Sequence, residues 1–444
     1  MKNKLVFVLV MLMLLAMGAL AGSLVYSAIF LASSLANRLF WLQWAPIASI
    51  TLLAIVVLVT AYFAVGLVRQ SRAEPLPKLR ESDLLPMTII IPALNEEKVL
   101  EQCVDSIMKA TYPPDRLEVA IAYEVPPRCR DRTPEIAERL ARTYPNVRAV
   151  PNDGEHRGTK AGAVNNCLQG ASGEIIGIYD ADHVIEKDAL LRASVQFAAD
   201  PSLGSIGGKV MVRKMDHNLF TFLVGNEYTV INNFSRFFSE LLTGTHLLYG
   251  SNVFIRREAL KAIGGFDESS LTEDCDLGMR LISKSYGIRI DYTIKSYEQP
   301  AINFVDWWHQ RVRWTRGSVD VLKKYIKGAS LGDINTKAVR TIILYSLGTG
   351  GLLFSVILLG FLGFMLYVNV VPPIILFAFC APLAVLFAAE SYLQIEEGRG
   401  SLQDMAMSLF VRPWIIFMYS LVGVYAVVLD VLDARRTWEE NQRV

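Results

Sequence analysis

Cysteine is scarce in this sequence. Its 444 residues include five, Cys103, Cys129, Cys167, Cys275 and Cys380, scattered, odd in number and without a Cys-x-x-Cys pair. That excludes a zinc-ribbon pattern and a disulfide framework, and it suits small buried thiols in a reducing compartment. A surplus of charge is missing too. The net charge is +1, so the balance gives no reason to expect nucleic acid as a partner. No internal repeat and no low-complexity tract occurs. Only 20% of residues are charged while 52% are hydrophobic, against about 25% and about 45–50% in an ordinary soluble domain. Disorder and collagen-like repeats are excluded, and a mixture of two populations is implied.

The shortage of charge is local. Residues 5–68 hold one charge, Arg38, residues 341–389 hold none, and residues 405–429 hold one, Arg412. A membrane span needs about 20 mostly apolar residues. Leu5–Leu31, Pro46–Val68, Thr341–Val368, Val371–Ala389 and Met405–Leu429 each supply such a run. Leu5–Ala21 behind Lys2 and Lys4 also has the form of a signal peptide, but its apolar run continues to Leu31, longer than such a peptide needs. The expected fold class is therefore α/β together with a transmembrane α-helical region of about five spans. These spans carry almost no charge, which argues against a transporter. Gly348, Gly350, Gly351, Gly360 and Gly363 suit close helix packing instead.

Lys2, Lys4, Arg69 and Arg72 belong on the cytoplasmic side by the positive-inside rule, which puts the polar block there as well. Three further spans would leave the C-terminus outside, although Arg435, Arg436 and Arg443 favour the inside. A re-entrant or paired element over 402–433, broken at Arg412-Pro413, would reconcile the two. The expected organisation is two transmembrane helices in 1–70, a cytoplasmic α/β domain in 71–303 and amphipathic interfacial helices in 304–340. Transmembrane helices follow in 341–433 and a short polar tail in 434–444. The expected location is the plasma membrane, with several passes.

Within the polar block, strands and helices alternate. Met87–Ile91, Leu117–Tyr123 and Glu174–Tyr179 read as strands; Glu96–Ala110, Pro134–Thr143, Lys160–Gln169 and Lys187–Ala198 read as helices. The strands are continuously apolar, which predicts a mostly parallel sheet covered on both faces. Such sheets bind ligands at the carboxyl ends of their strands.

Unusual residues gather at those ends. Asp180-Ala181-Asp182 follows a strand, and two carboxylates two apart can face a hard cation such as Mg²⁺ or Mn²⁺; a solvated acidic turn is the plainer reading. Thr272-Glu273-Asp274 opens a helical pattern. It suits an N-cap, and equally a carboxylate placed as a general base. Gln310, Arg313 and Trp314 share one helix face, offering an amide, a guanidinium and an indole to a pyrophosphate or a sugar ring. An interfacial amphipathic helix uses the same residue types, with Phe304, Trp307 and Trp308 at the lipid boundary and Lys323, Lys324 and Lys327 near headgroups. Lys160, at a glycine-rich helix start, suits a phosphate contact or an ordinary surface position.

The order of these motifs resembles membrane-embedded family-2 glycosyltransferases, the group that includes cellulose, hyaluronan and poly-N-acetylglucosamine synthases and some glycolipid synthases. The resemblance spans about residues 85–320. It implies a GT-A fold with a Rossmann-like sheet and inversion at the anomeric carbon. By the same resemblance Pro92, Asn95 and Glu96 belong to the nucleotide-binding first loop, and Lys160 and Asp180 to the nucleotide-sugar site. Asp182 holds the metal, Mg²⁺ or Mn²⁺. Asp274 is the general base, with Glu273 beside it. Gly250 and Ser251 lie by the acceptor, and Gln310, Arg313 and Trp314 hold diphosphate and acceptor. Where the family carries an Asp-Asp pair reading the base, this chain has Glu124, which leaves a uridine or a guanosine diphosphate sugar open, the first being favoured.

The resemblance implies an enzyme moving a hexose from a nucleotide sugar to an acceptor at the membrane. Gln310-x-x-Arg313-Trp314 favours a growing polysaccharide, which is the leading expectation, whereas the small number of spans favours the alternative, a single transfer to a lipid acceptor. A non-catalytic sugar-nucleotide sensor is disfavoured because the whole acid–base and metal set is present.

Overall fold

The computed structural model describes residues 83–230 except 155, 157, 214 and 216, then 240, 243–330 and 335–341. Toward the C-terminus it describes 395, 401, 418, 419 and 421–432. The chain forms two compact units, Arg72–Gly351 with Leu421–Val444, and Met1–Ser71 with Leu352–Ser420. The second unit lies outside the described residues apart from 395, 401, 418 and 419. The expected spans Leu5–Leu31, Pro46–Val68 and Val371–Ala389, and all of Thr341–Val368 beyond its first residue, lie outside them as well. Met405–Leu429 is described only at 418, 419 and 421–429. Among the described residues no helix is long and apolar enough to cross a membrane.

Three consecutive isoleucines set the centre of the first unit. Ile89, Ile90 and Ile91 of β1 (Met87–Ala93) are all 0% exposed. Successive side chains of a strand point to opposite faces, so both faces are covered. Ile89 and Ile91 join one core with Leu100, Val104 and Ile107 of α1 (Leu100–Met108) and Leu140 of α2 (Thr133–Thr143). Ile90 faces a second core with Val164 and Cys167 of α3 (Lys160–Gln169) and Leu277 and Leu281 of α7 (Glu273–Ser283). Each isoleucine so buried contributes about 1.5–3 kcal/mol. Leu100, Cys103, Val104 and Ile107 are the buried residues of α1, a stripe spaced to lie on a sheet.

β1 pairs in parallel with β2 (Leu117–Glu124) and β4 (Ile175–Ile178), and β2 with β3 (Val147–Asn152). The remaining strands are β5 (Val184–Ile185), β6 (Leu203–Val212), β7 (Val253–Arg256) and β8 (Gly287–Glu298). The order is β3-β2-β1-β4-β7-β6-β8-β5. β7 runs antiparallel to both β4 and β6, and β5 antiparallel to β8. β6 pairs in parallel with β8, and β4 and β6 share one direction because both oppose β7, so the expectation of a mostly parallel sheet holds with β7 and β5 as its exceptions. Strands and helices go on alternating past α4 (Ala189–Ala199), with α5 (Leu219–Val230) between β6 and the antiparallel β7. The chain leaves β1 toward β2 on one side, while β4 lies on the other. That switch opens a crevice beyond the carboxyl ends of β1 and β4.

After β7 come α6 (Arg257–Ala262) and then α7 and β8. The last long element is α8 (Phe304–Ser330), and residues 336–341 are helical again. α8 is a buried brace for the domain along much of its length. Trp307 is 5% exposed and its indole Nε1 donates to Glu227 Oε2 at 2.7 Å, so it does not face lipid as expected. Lys324 pairs with Asp267 at 2.9 Å and Asp276 at 2.6 Å, and Lys323 with Asp430. These two lysines serve protein carboxylates. Phe304, at 46%, and Val305, at 58%, do stay exposed.

Candidate active site

A cavity of about 370 Å³ lies in the crevice, within the range of small-molecule sites. Every residue that the family resemblance assigns to the site lines it: Pro92, Asn95 and Glu96 after β1, Glu124 at the end of β2, Lys160 opening α3, and Asp180 and Asp182 after β4. Gly250 and Ser251 before β7, Glu273 and Asp274 opening α7, and Gln310, Arg313 and Trp314 on α8 complete the wall.

The first loop is tied down by its own asparagine. Asn95 takes φ +56°, a left-handed conformation that asparagine tolerates better than most residues. Its Oδ1 accepts from Arg130 N at 2.7 Å, and Glu96 N donates to Thr133 Oγ1 at 2.7 Å. Both bonds lash the loop after β1 to the loop after β2. Beside them, Glu124 is 4% exposed. Its Oε1 accepts from Asn152 Nδ2 at 2.6 Å and Gly158 N at 3.4 Å. Its Oε2 lies 3.6 Å from Arg128 Nε and has no hydrogen-bond partner among the described residues.

Lys160 is a buried hub, with its side chain 17% exposed, which rules out the ordinary surface position. Its Nζ lies 2.5 Å from Asp180 Oδ1, donates to Gly250 O at 2.7 Å and lies 3.8 Å from Glu273 Oε1. Burial alone would lower its pKa, but the Asp180 and Glu273 charges outweigh that and raise it, so Lys160 is a permanent cation. The helix behind it starts properly: Thr159 Oγ1 accepts from Gly162 N at 2.9 Å, following Gly158 at φ +107°.

Asp180 N donates to Ser251 Oγ at 2.9 Å, joining the β4 end to the β7 side of the sheet. Asp182 is 5% exposed, so the solvated-turn reading does not fit it. Its main-chain oxygen accepts from Arg213 at 2.8 Å. Glu273 is raised to about 7 by burial and by the Asp274 charge, against the pull of Lys160 and Arg313. Asp274 Oδ2 accepts from Gly250 N. Although adjacent in sequence, both carboxylates reach the cavity. The N-cap reading of Thr272 is corrected here: it stands at the cap position of α7 but its side chain makes no capping bond. Its Oγ1 is buried without a hydrogen-bond partner among the described residues. The threonine packs against α8 instead. A Cβ on Gly317 would come within 2.5 Å of Thr272 Cγ2, so glycine is what lets α8 approach the helix start carrying Glu273 and Asp274. Burial lowers the pKa of Arg313, while the charges of Glu273, Asp274 and Asp180 oppose that shift.

Asp182 and Asp180 place hard carboxylate oxygens at the cavity wall. Mg²⁺ and Mn²⁺ favour such oxygens, and Mg²⁺ usually takes one or two carboxylates and completes its shell from substrate phosphates. The residues therefore fit the expected ion when a diphosphate shares it. Among the described residues no group of three metal-ligating side chains forms a complete protein site.

Several lining residues escaped the sequence reading: Arg128, Tyr228, Glu298 and Gln299. Arg128 stands four residues after Glu124, and Glu298 ends β8, positions that strand-end reasoning could have flagged. Tyr228 sits in an apolar helix and gave no signal. The described cysteines Cys103, Cys129, Cys167 and Cys275 are buried and outside any disulfide, as expected of small apolar fillers.

The profile described as "Glycosyltransferase like family 2" matches residues 86–317, just over half of the chain. The chain belongs to this family. The chain is 30% identical over 282 residues to a beta-monoglucosyldiacylglycerol synthase of Synechocystis sp., covering 62% of this chain and 56% of that protein. It is 24% identical over 247 residues to a poly-beta-1,6-N-acetyl-D-glucosamine synthase of Staphylococcus aureus, covering 55% and 58%. The chain thus spans somewhat more than half the length of these curated relatives. Among solved structures, a mannosyltransferase from Pyrobaculum calidifontis, in complex with GDP-Man and Mn²⁺, superposes with a TM-score of 0.53 at 20% identity. That match covers 87% of this chain and 98% of the other, and it shows the shared GT-A-like α/β fold.

Proposed function

We propose that this chain is an inverting, metal-dependent transferase that moves a hexose from a nucleotide sugar to a lipid hydroxyl at a membrane. The observation that carries this reading is the convergence of Lys160, Asp180, Asp182, Asp274 and Arg313 on one cavity. A bound Mg²⁺ or Mn²⁺, held by Asp182 with Asp180 alongside, would neutralise charge gathering on the leaving diphosphate. Arg313 and Lys160 add fixed positive charge on the same side. Asp274, held by Gly250 N, takes the proton of the attacking hydroxyl. One base suffices for a single in-line displacement, which inverts the anomeric carbon.

Glu124 supports a uridine nucleotide. Asn152 and Gly158 occupy Oε1 and leave Oε2 as a single acceptor beside the Arg128 guanidinium. The uracil edge has one N–H donor between two carbonyls, which complements one acceptor flanked by a donor. Guanine would present two adjacent donors.

The lipid acceptor is supported by the 30% identity to a protein named beta-monoglucosyldiacylglycerol synthase. The exposed Phe304 and Val305 at the start of α8 suit contact with a bilayer. A growing polysaccharide is the second reading, favoured by Gln310-x-x-Arg313-Trp314 and by the relatedness to a poly-N-acetylglucosamine synthase. In both readings the hydrophobic segments outside the described residues make the chain a multi-pass plasma-membrane protein with its family-2 domain in the cytoplasm. Purified protein with Mn²⁺, vesicles containing diacylglycerol and a panel of UDP- and GDP-sugars tests this by diphosphate release and product mass. One glycolipid supports the lipid reading, a ladder of lengths supports the polymer, and no release from any donor rejects both.

A further inference from the structure

Arg311 lies between two residues of the proposed diphosphate and acceptor face and is itself shut away from the cavity. It is 0% exposed, and its partner Glu227, on α5, is 2% exposed. The two meet at 2.5 Å between Arg311 Nε and Glu227 Oε1. The other oxygen, Oε2, accepts from Trp307 Nε1 at 2.7 Å. Both carboxylate oxygens thus bind α8, one turn of helix apart, and fix how α8 is rotated against α5.

Arg311 converts that rotation into side-chain placement. One guanidinium nitrogen donates to Gln310 Oε1. The guanidinium carbon lies 4.2 Å from the centre of the Trp314 ring and 5.5 Å from that of Tyr228. Gln310, Trp314 and Tyr228 line the cavity, while Arg311 and Glu227 do not. A planar guanidinium can stack on an indole and bond sideways to an amide at once, which an ammonium cannot do. A buried ion pair is poor evidence of added stability, because a well-packed apolar pair often serves as well. Its distinctive property is fixed geometry.

We infer that the Glu227–Arg311 pair is a positioning device for the transfer reaction: it holds Gln310 and Trp314 in the orientation that receives the acceptor. The inference rests on the transferase reading above. Its test also needs a readout that does not depend on turnover.

Full-length protein in nanodiscs is labelled with 5-fluorotryptophan, and the Trp314 resonance is assigned by its loss in Trp314→Phe. Two variants are compared with wild type. Glu227→Gln/Arg311→Met removes both charges together, so that no lone charge is left buried. Arg311→Lys keeps the charge and the ion pair but loses the flat stack and the sideways bond. In both, the Trp314 resonance shifts or broadens, while UDP binding with Mn²⁺ stays within about two-fold of wild type because the donor corner is untouched. With the donor that wild type uses, kcat falls on the order of a hundred-fold while donor KM stays within about three-fold. An unchanged Trp314 resonance, or kcat within about two-fold of wild type in Arg311→Lys, overturns the inference. If the double variant does not fold, Arg311→Lys alone decides. If wild type releases no diphosphate from any donor, the transferase reading fails, and a Trp314 resonance unmoved in Arg311→Lys marks the separate failure of the positioning device.

Discussion

The four parallel strands β3-β2-β1-β4 present the donor side of the cavity with residues that sit within one loop of their strand ends. Asn95 and Glu96 follow β1, Glu124 ends β2, Asp180 and Asp182 follow β4. The other side is assembled differently. Gly250 precedes the antiparallel β7, Asp274 opens α7, and Gln310 and Trp314 ride on a helix held by a glutamate 84 positions earlier in the chain. The donor side is built by local chain geometry, and the acceptor side by long-range packing. Damage to the first should therefore appear in nucleotide and metal binding, and damage to the second in turnover.

Asp274→Asn is the sharpest test of that division. The amide cannot take a proton, so diphosphate release should fall by about 10²–10⁴-fold while UDP affinity, measured by calorimetry, stays near wild type. An equal loss of affinity would dissolve the distinction between the sides. Asp182→Ala should cost about 10²–10³-fold by withdrawing charge stabilisation at the leaving group. Chelation of wild type should abolish release, and Mn²⁺ should restore it; the same Mn²⁺ should fail to restore Asp182→Ala. Glu124→Gln keeps the shape but not the charge of the base corner. Donor KM should rise by about ten-fold with kcat little changed, the signature of a lost ground-state hydrogen bond.

The smallest expected effect is on stability against pH, where two carboxylates near α7 pull in opposite directions. Glu273 is raised from 4.5 to about 7, so its protonated form is favoured by folding. Its contribution is complete below 4.5 and is lost as pH rises through about 7. Burial would raise Asp267 too, but Ser269 and Lys324 outweigh it and bring the group from 3.8 to about 2. Its contribution is complete above 3.8 and is lost as pH falls toward 2. Thermal midpoints followed from pH 4.5 to 8 should decline less in Glu273→Gln than in wild type. Lys324→Ala should cost about 1 kcal/mol or less, because that lysine is half exposed and solvent screens it. A larger loss would mean that α8 is braced mainly by this pair and less by its buried face.

How legible each part was follows the same division. The strands at Met87, Leu117 and Glu174 stood out because continuous apolar runs mark strands covered on both faces, and the motif residues lay at their ends. The helix over Lys160–Gln169 agrees residue for residue with its sequence pattern. The antiparallel β7 did not stand out, since strand direction is a property of pairing and leaves no mark in a short apolar run. Trp307 misled for a related reason. An aromatic and basic helix looks the same whether its indole meets lipid or a buried glutamate, and only Glu227 on α5 distinguishes the two. Arg311 went unnoticed beside Arg313 because, in sequence, the two arginines differ only in register.

The amino-acid sequence by itself determined the division into apolar segments and a charged α/β block, the strand ends where chemistry gathers, and the family to which the block belongs. Those follow from periodicity, composition and motif spacing, which are local. Tertiary structure decided which groups touch. It buried Lys160 among Asp180, Gly250 and Glu273, raised Glu273 by removing it from water, left one oxygen of Glu124 open, and set the rotation of α8 through a charge on another helix. Burial and the approach of distant charges are what fix ionisation and orientation, and both are created only when the chain packs.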